Sequence, residues 1–209
     1  MACLFEFENR GDSLYETKVK PLVYGVGVYS AGRYKCTNDR VMTQEYSLWS
    51  NMLGRVYAPK SKGAKRAYSG YIVSENFKNF QYFAEWCNNQ SGFNTKGWQL
   101  DKDLLSKNDL IYSEDTCAFL PRHLNVLLTD KGASRGTGVL GVQFHKGSGK
   151  YRAQVGKWGN VFHLGYFETE GEAFSAYKLE KGRHIREAAE FYKDVLDDRV
   201  YLALMNWGA

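Results

Sequence analysis

Two carboxylates one residue apart, Asp101 and Asp103, sit in the stretch WQLDKDLLSKND with Lys102 between them and Asn108 five residues after the second. At i, i+2 spacing on an extended strand both side chains leave the same face and can reach one ion. Carboxylate oxygens are the hard donors that magnesium takes. A divalent ion held there would act as a Lewis acid and could ionise a bound water. An aspartate serves as general base only if its pKa is raised. The competing reading makes Asp101 and Asp103 exposed strand or turn residues, with Lys102 packed or paired.

A second group lies in the C-terminal third. In KYRAQV, residues 150–155, Lys150, Arg152 and Gln154 alternate with Tyr151, Ala153 and Val155, so one face is polar and basic and the other apolar. A ribbon of two or three strands fits the major groove. Lys150 and Arg152 suit phosphates or guanine edges, and Gln143 and Gln154 suit adenine. The alternative is a solvated sheet face.

The elements that must hold these residues follow from periodicity. Residues 21–36, PLVYGVGVYSAGRYKC, alternate and predict a strand followed by a hairpin turn at SAGR. No GxGxxG or GK[ST] accompanies the glycines, so no nucleotide loop is expected. Helical spacing runs from Gln44 to Tyr57, with Tyr46, Trp49, Met52, Leu53 and Val56 on one face, and again over Asn79–Cys87. The acid-free stretch PKSKGAKR, residues 59–66, reads as a solvated basic loop or a phosphate contact. Trp98–Leu105 is a predicted strand, Ser106–Asn108 a turn, Ile111–Tyr112 the strand's continuation, Ser113 a cap, and His123–Leu128 a helical turn. TDKGASRGTG, residues 129–138, is the best linker in the chain. Beyond it come three short antiparallel strands (Gly141–His145, Lys150–Val155 and one starting at Val161–Leu164). A helix follows, N-capped by Thr169 with Glu172 at the capping-box position.

Composition narrows the classes. An apolar content of 44% with 15% aromatics supports a real core, and only three prolines are present. No apolar run reaches the roughly 18–20 residues that span a bilayer, and with acidic residues in MACLFEFENRGD no signal peptide is expected. A soluble intracellular protein without a membrane partner is expected. Cys3, Cys36, Cys87 and Cys117 are dispersed without a CxxC, so packed reduced thiols are expected rather than zinc. The net charge is +5, and residues 131–193, with 11 Lys+Arg against 6 Asp+Glu, carry an excess equal to it.

The stretch GVQFHKGSGKYRAQV…HLGYFETEGEAFSAY resembles the Apetala-two type DNA-binding domain of plant ethylene-response factors, whose relatives occur attached to phage and mobile-element homing endonucleases. The frame is GV, a basic-flanked KY/W-x-A strand, an LGxF corner and a T-x-E-E-A-x-x-A-Y helix, with Gly171 in place of the first usual helix acid. The resemblance implies that the exposed sheet face enters the major groove of double-stranded DNA. Gln143, His145, Lys150, Arg152, Gln154, Val161 and His163 are the corresponding positions, with Lys146 and Lys157 flanking them as further contacts.

Residues 22–128 resemble phage-encoded endonucleases of the HNH (ββα-metal) group, on YGVGVYSAG, YSLWSNMLGRVY, NFQYFAEWC and WQLDKDLLSKNDLIYSEDTCAFLP. Such sites use a histidine base, with an aspartate and a further His or Asn on one divalent metal. This chain has no histidine before His123; the others are His145, His163 and His184. Asp101 and Asp103 stand where histidines are expected. Asn108 matches the turn asparagine, and Arg55 is implied on the phosphate or on a carboxylate.

The expectation is an α+β protein with four parts. Residues 1–128 form an HNH-endonuclease-like domain, 129–138 a linker, 139–193 a small three-stranded antiparallel sheet with one packed helix, and 194–209 a tail helix that packs or dimerises. The implied function is site-specific DNA cleavage with magnesium or another divalent metal, in the cytoplasm of an infected bacterial cell. Asp101, Asp103, Asn108 and Arg55 would form the active site. The rival is an inactive nuclease acting as a DNA-binding regulator, or a takeover protein that inhibits a host or phage protein partner.

Overall fold

The structure, a computed structural model, describes residues 22–106, 109–128, 139–157 and 159–208. It mixes helices with four small sheets, an α+β arrangement. In chain order the elements begin with β1 (Thr37–Asn38), β2 (Val41–Met42), α1 (Gln44–Tyr57), α2 (Lys62–Ala67), β3 (Ile72–Val73), α3 (Glu75–Lys78) and α4 (Phe80–Asn88). The middle holds β4 (Trp98–Asp101), β5 (Ile111–Tyr112), β6 (Ala118–Pro121) and α5 (Arg122–Leu128). The last third holds β7 (Val142–His145), β8 (Lys150–Lys157), β9 (Asn160–Phe167), α6 (Glu170–Tyr192) and α7 (Asp198–Met205). None of these helices is long and apolar enough to cross a membrane.

The first core forms where α1 lays Trp49, Met52 and Leu53 against Phe80, Phe83, Ala84 and Cys87 of α4. Thr43 caps α1 by accepting the Tyr46 amide. The buried Trp49 indole donates to the Phe77 carbonyl at 2.8 Å, so the largest core ring carries no unpaired donor. Cys87 and Cys117 are free and buried. Burial raises both thiol pKa values, Cys117 to about 12, consistent with inert packed thiols.

Residues 22–36 do not form the expected strand and hairpin. Tyr24 and Gly25 adopt positive φ, and the chain folds back so that Val23 bridges Gly27. Gly27 then lies so close to α1 that a Cβ there would fall 2.4 Å from Leu53 Cδ1. Close packing, not a phosphate loop, explains that glycine. The basic stretch after α1 is also not a plain loop: Ser61 caps the short helix α2.

The strand expected over Trp98–Leu105 ends at Asp101. β4 pairs antiparallel with β6, Trp98 opposite Pro121 and Asp101 opposite Ala118. β5 is not its continuation but pairs in parallel with β3.

The second core joins the two halves of the chain. Ala118, Leu120 and Leu124 from β6 and α5 pack with Ile185, Ala188 and Ala189 of α6, and with Leu196, Val200 and Leu204 around α7. α6 also carries the sheet β7–β8–β9, from Ala173 and Tyr177, buried like Ala153 and Val155 of β8, to Glu187, which pairs with Lys157. Residues 139–193 are thus attached to the preceding part by packing as well as by the chain. The tail after Asp194 packs on that core as α7. The expected linker, 129–138, and the N-terminal residues 1–21 lie outside the described residues.

Candidate nucleic-acid interface

Strand alternation decides which side chains share the outer face of the C-terminal sheet. β7 and β8 pair with Gln143 opposite Arg152 and His145 opposite Lys150. β8 and β9 place Arg152 opposite Tyr166 and Gln154 opposite His163, with an irregularity at Ala153/Gln154. Directly opposed residues point to the same side, so Gln143, His145, Lys150, Arg152, Gln154, His163 and Tyr166 form one patch. Its reverse side holds the buried Ala153 and Val155. A two-sided sheet of this kind leaves the polar face available only because α6 covers the apolar one.

The patch is internally braced. Arg152 Nη2 donates to Gln143 Oε1 at 2.6 Å. The Tyr166 ring lies 5.2 Å from His145 and 4.9 Å from His163 by centroids. His145 Nδ1 is 2.9 Å from the Ser148 hydroxyl, which ties the ring to the exposed turn that carries Lys146. Lys150 pairs with Glu168 at 2.5 Å, and both are substantially exposed. Exposed pairs of this kind are worth about 0–1 kcal/mol, so a phosphate can take Lys150 at little cost.

Two placements differ from the sequence reading. Lys157 does not join this face: its ammonium turns to Glu187 of α6 at 2.5 Å, because position 157 shares the side of Val155. Tyr166 and Glu168, missed by sequence reasoning, belong to the patch or its edge because β9 runs to Phe167. The alternation VFHLGYF carried the signal, but Gly165, at a φ of +134°, interrupts it.

The central carboxylates are arranged otherwise than expected. Because β4 stops at Asp101, the pair does not project from one strand face. Asp101 Oδ2 accepts the backbone amides of Asp103 at 2.9 Å and Leu104 at 2.8 Å, closing a turn on its own chain. Burial raises the Asp101 pKa, opposed by those amides. The Asp103 side chain is 70% exposed and meets Lys102 Nζ at 2.6 Å. Lys102 is only 4% exposed. It also donates to the Asp109 carbonyl at 3.0 Å and lies 4.6 Å over the Tyr71 ring. Burial opposes its charge, yet the Asp103 carboxylate prevails and its pKa is raised. This is the packed and paired lysine of the competing reading.

Arg55 is exposed in the last turn of α1 and faces the buried Tyr112 hydroxyl, whose pKa burial raises. No ion pair joins Arg55 to Asp101 or Asp103 among the described residues. Asn108 lies outside the described residues.

The donor set does not fit a magnesium ion as it stands. One Asp101 oxygen is occupied by two amides, and an ammonium holds Asp103. No group of three or more His, Cys, Asp or Glu suited to a metal occurs among the described residues. A hard divalent ion there would compete with the Lys102 ammonium for the Asp103 carboxylate. No protein-family model, curated protein or solved structure matches this chain, so its functional reading rests on its own residues.

Proposed function

We propose that the protein binds double-stranded DNA through the outer face of β7–β8–β9, acting as a DNA-binding regulator. One observation carries the reading. Gln143, His145, Lys150, Arg152, Gln154 and His163 share one solvent-facing side of a narrow antiparallel ribbon, with Arg152 braced by Gln143. A ribbon of this width enters the major groove, where Arg reads guanine and Gln reads adenine. Lys146 on the β7–β8 turn and the exposed basic residues of α2 supply further positive charge for phosphates. The strand pair β4–β6 followed by α5 has the order of a ββα-metal domain. Its carboxylates, however, serve the turn and Lys102, which favours the regulatory reading over cleavage.

The test is fluorescence anisotropy with labelled duplexes at several salt concentrations. Lys150→Ala with Arg152→Ala should weaken binding and lower the salt slope by about 2, roughly one unit per phosphate contact. Lys157→Ala, on the helix side, should leave the slope unchanged. If the double variant keeps the wild-type slope, the sheet face is not the interface. A metal series on the same duplexes should leave them uncut.

A further inference from the structure

A cleft of about 830 Å3 separates the β4–β6 pair and α5 from β8, β9 and α6. That volume lies within the range of small-molecule sites. Its walls are mainly apolar, and three aromatic side chains line it: Trp98, Tyr177 and Tyr192. Among the described residues, Lys96, Arg122, Lys157 and Lys181 line it and no aspartate or glutamate does. Lys157 is engaged by Glu187, and Lys181 lies over the rings of Tyr177 and Trp207. Lys96 and Arg122 are both exposed, and no ion pair holds either among the described residues.

His184 also lines the cleft and is 2% exposed, with its Nε2 2.9 Å from Glu180 Oε1. The aromatic lining and the two exposed cations, not this imidazole, point to an anion.

We propose that this cleft binds a small aromatic anion, with its rings against Trp98, Tyr177 and Tyr192 and its carboxylate or phosphate held by Lys96 and Arg122. Ring faces and edges attract one another in such clusters, and two cations without carboxylates compensate an anion where a neutral molecule gains nothing from them. Val155, on the helix side of β8, lines the cleft. The site therefore lies mostly behind the sheet face proposed for DNA, with Gly156 and Val161 at its rim on that face's side. The two proposals stand or fall separately.

The test is isothermal titration of the full chain without DNA, using 1-naphthyl phosphate, 1-naphthoate, neutral 1-naphthol and inorganic phosphate. One site per chain is expected for at least one aromatic anion, at least tenfold tighter than for 1-naphthol or inorganic phosphate. The tighter of the two aromatic anions identifies the head group. Lys96→Glu with Arg122→Glu should weaken anion binding at least tenfold while keeping the wild-type unfolding midpoint, since both residues are exposed. Val126→Trp, which places a ring in the cleft from a half-exposed position, should weaken the same anion. Absence of saturable binding, equal affinity for 1-naphthol, or anion binding indifferent to the charge reversal would overturn the proposal.

Discussion

Replacing Asp101 by alanine and by asparagine separates a structural carboxylate from a metal ligand. Alanine removes the acceptor of two amides, each bond to a charged group being worth roughly 1.5–3 kcal/mol before water compensates. Asp103 is exposed, so water recovers most of its amide; Leu104 is half-buried, so less of that one is recovered. The net loss is about 2 kcal/mol, or a midpoint lowered by about 4–8 °C for a chain of this size. Asparagine keeps an oxygen for both amides and removes a charge whose burial raises the Asp101 pKa. A raised carboxyl pKa contributes stability at acid pH that is lost as pH rises through the folded value, so the charge is a cost near neutrality. Asp101→Asn should therefore match or exceed the wild type at pH 7. Thermal unfolding with and without 10 mM magnesium, on the order of ten times a weak site's Kd, reads both roles, because a bound ion raises the midpoint by linkage. A wild-type midpoint that rises with magnesium, and loses that rise in Asp101→Asn, would refute the structural assignment.

Trp49→Phe keeps most of the ring but leaves the Phe77 carbonyl without its donor, and should cost about 1–3 kcal/mol in urea unfolding; a neutral result would mean that the carbonyl is otherwise satisfied. Thr169→Ala breaks the capping box that starts α6 and should cost about 1 kcal/mol, with Thr169→Ser restoring most of it. His123 and His184 both have pKa values lowered by burial. Their contribution is fully present above the ordinary histidine value of about 6.5 and declines as pH falls through it toward the folded values. Urea midpoints should thus drop between pH 7.5 and pH 5.5, and less so in His184→Gln; a rise on acidification would contradict the burial argument.

What could be read in advance depended on how local its cause was. The bounds of α1 and the cap of α6 were legible because periodicity and capping act within a few residues. The outer face of β8 was legible because alternation has period two. Residues 22–36 misled because their alternation is cut by positive φ at Tyr24 and Gly25, which nothing in an apolar count records. The end of β4 was hidden for a related reason: the Asp101 side chain competes for amides that an extended strand would have left for pairing. Long-range choices were the least accessible. The parallel partner of β5 lies some forty residues upstream, and Lys157 turns to a helix that has not yet begun at its position in the chain.

The division of α6 between two cores has a consequence for the integrity of the molecule. At 1.5 Å per residue its 23 residues span about 35 Å, bearing the sheet from Ala173 to Glu187 and seated at the far end among Leu120, Leu124, Val200 and Leu204. A cut in the backbone between residues 129 and 138 would therefore sever the polypeptide without freeing the sheet. The two fragments should co-elute as one particle and, expressed from separate genes, find each other again, with the far half of α6 as the tenon that joins them.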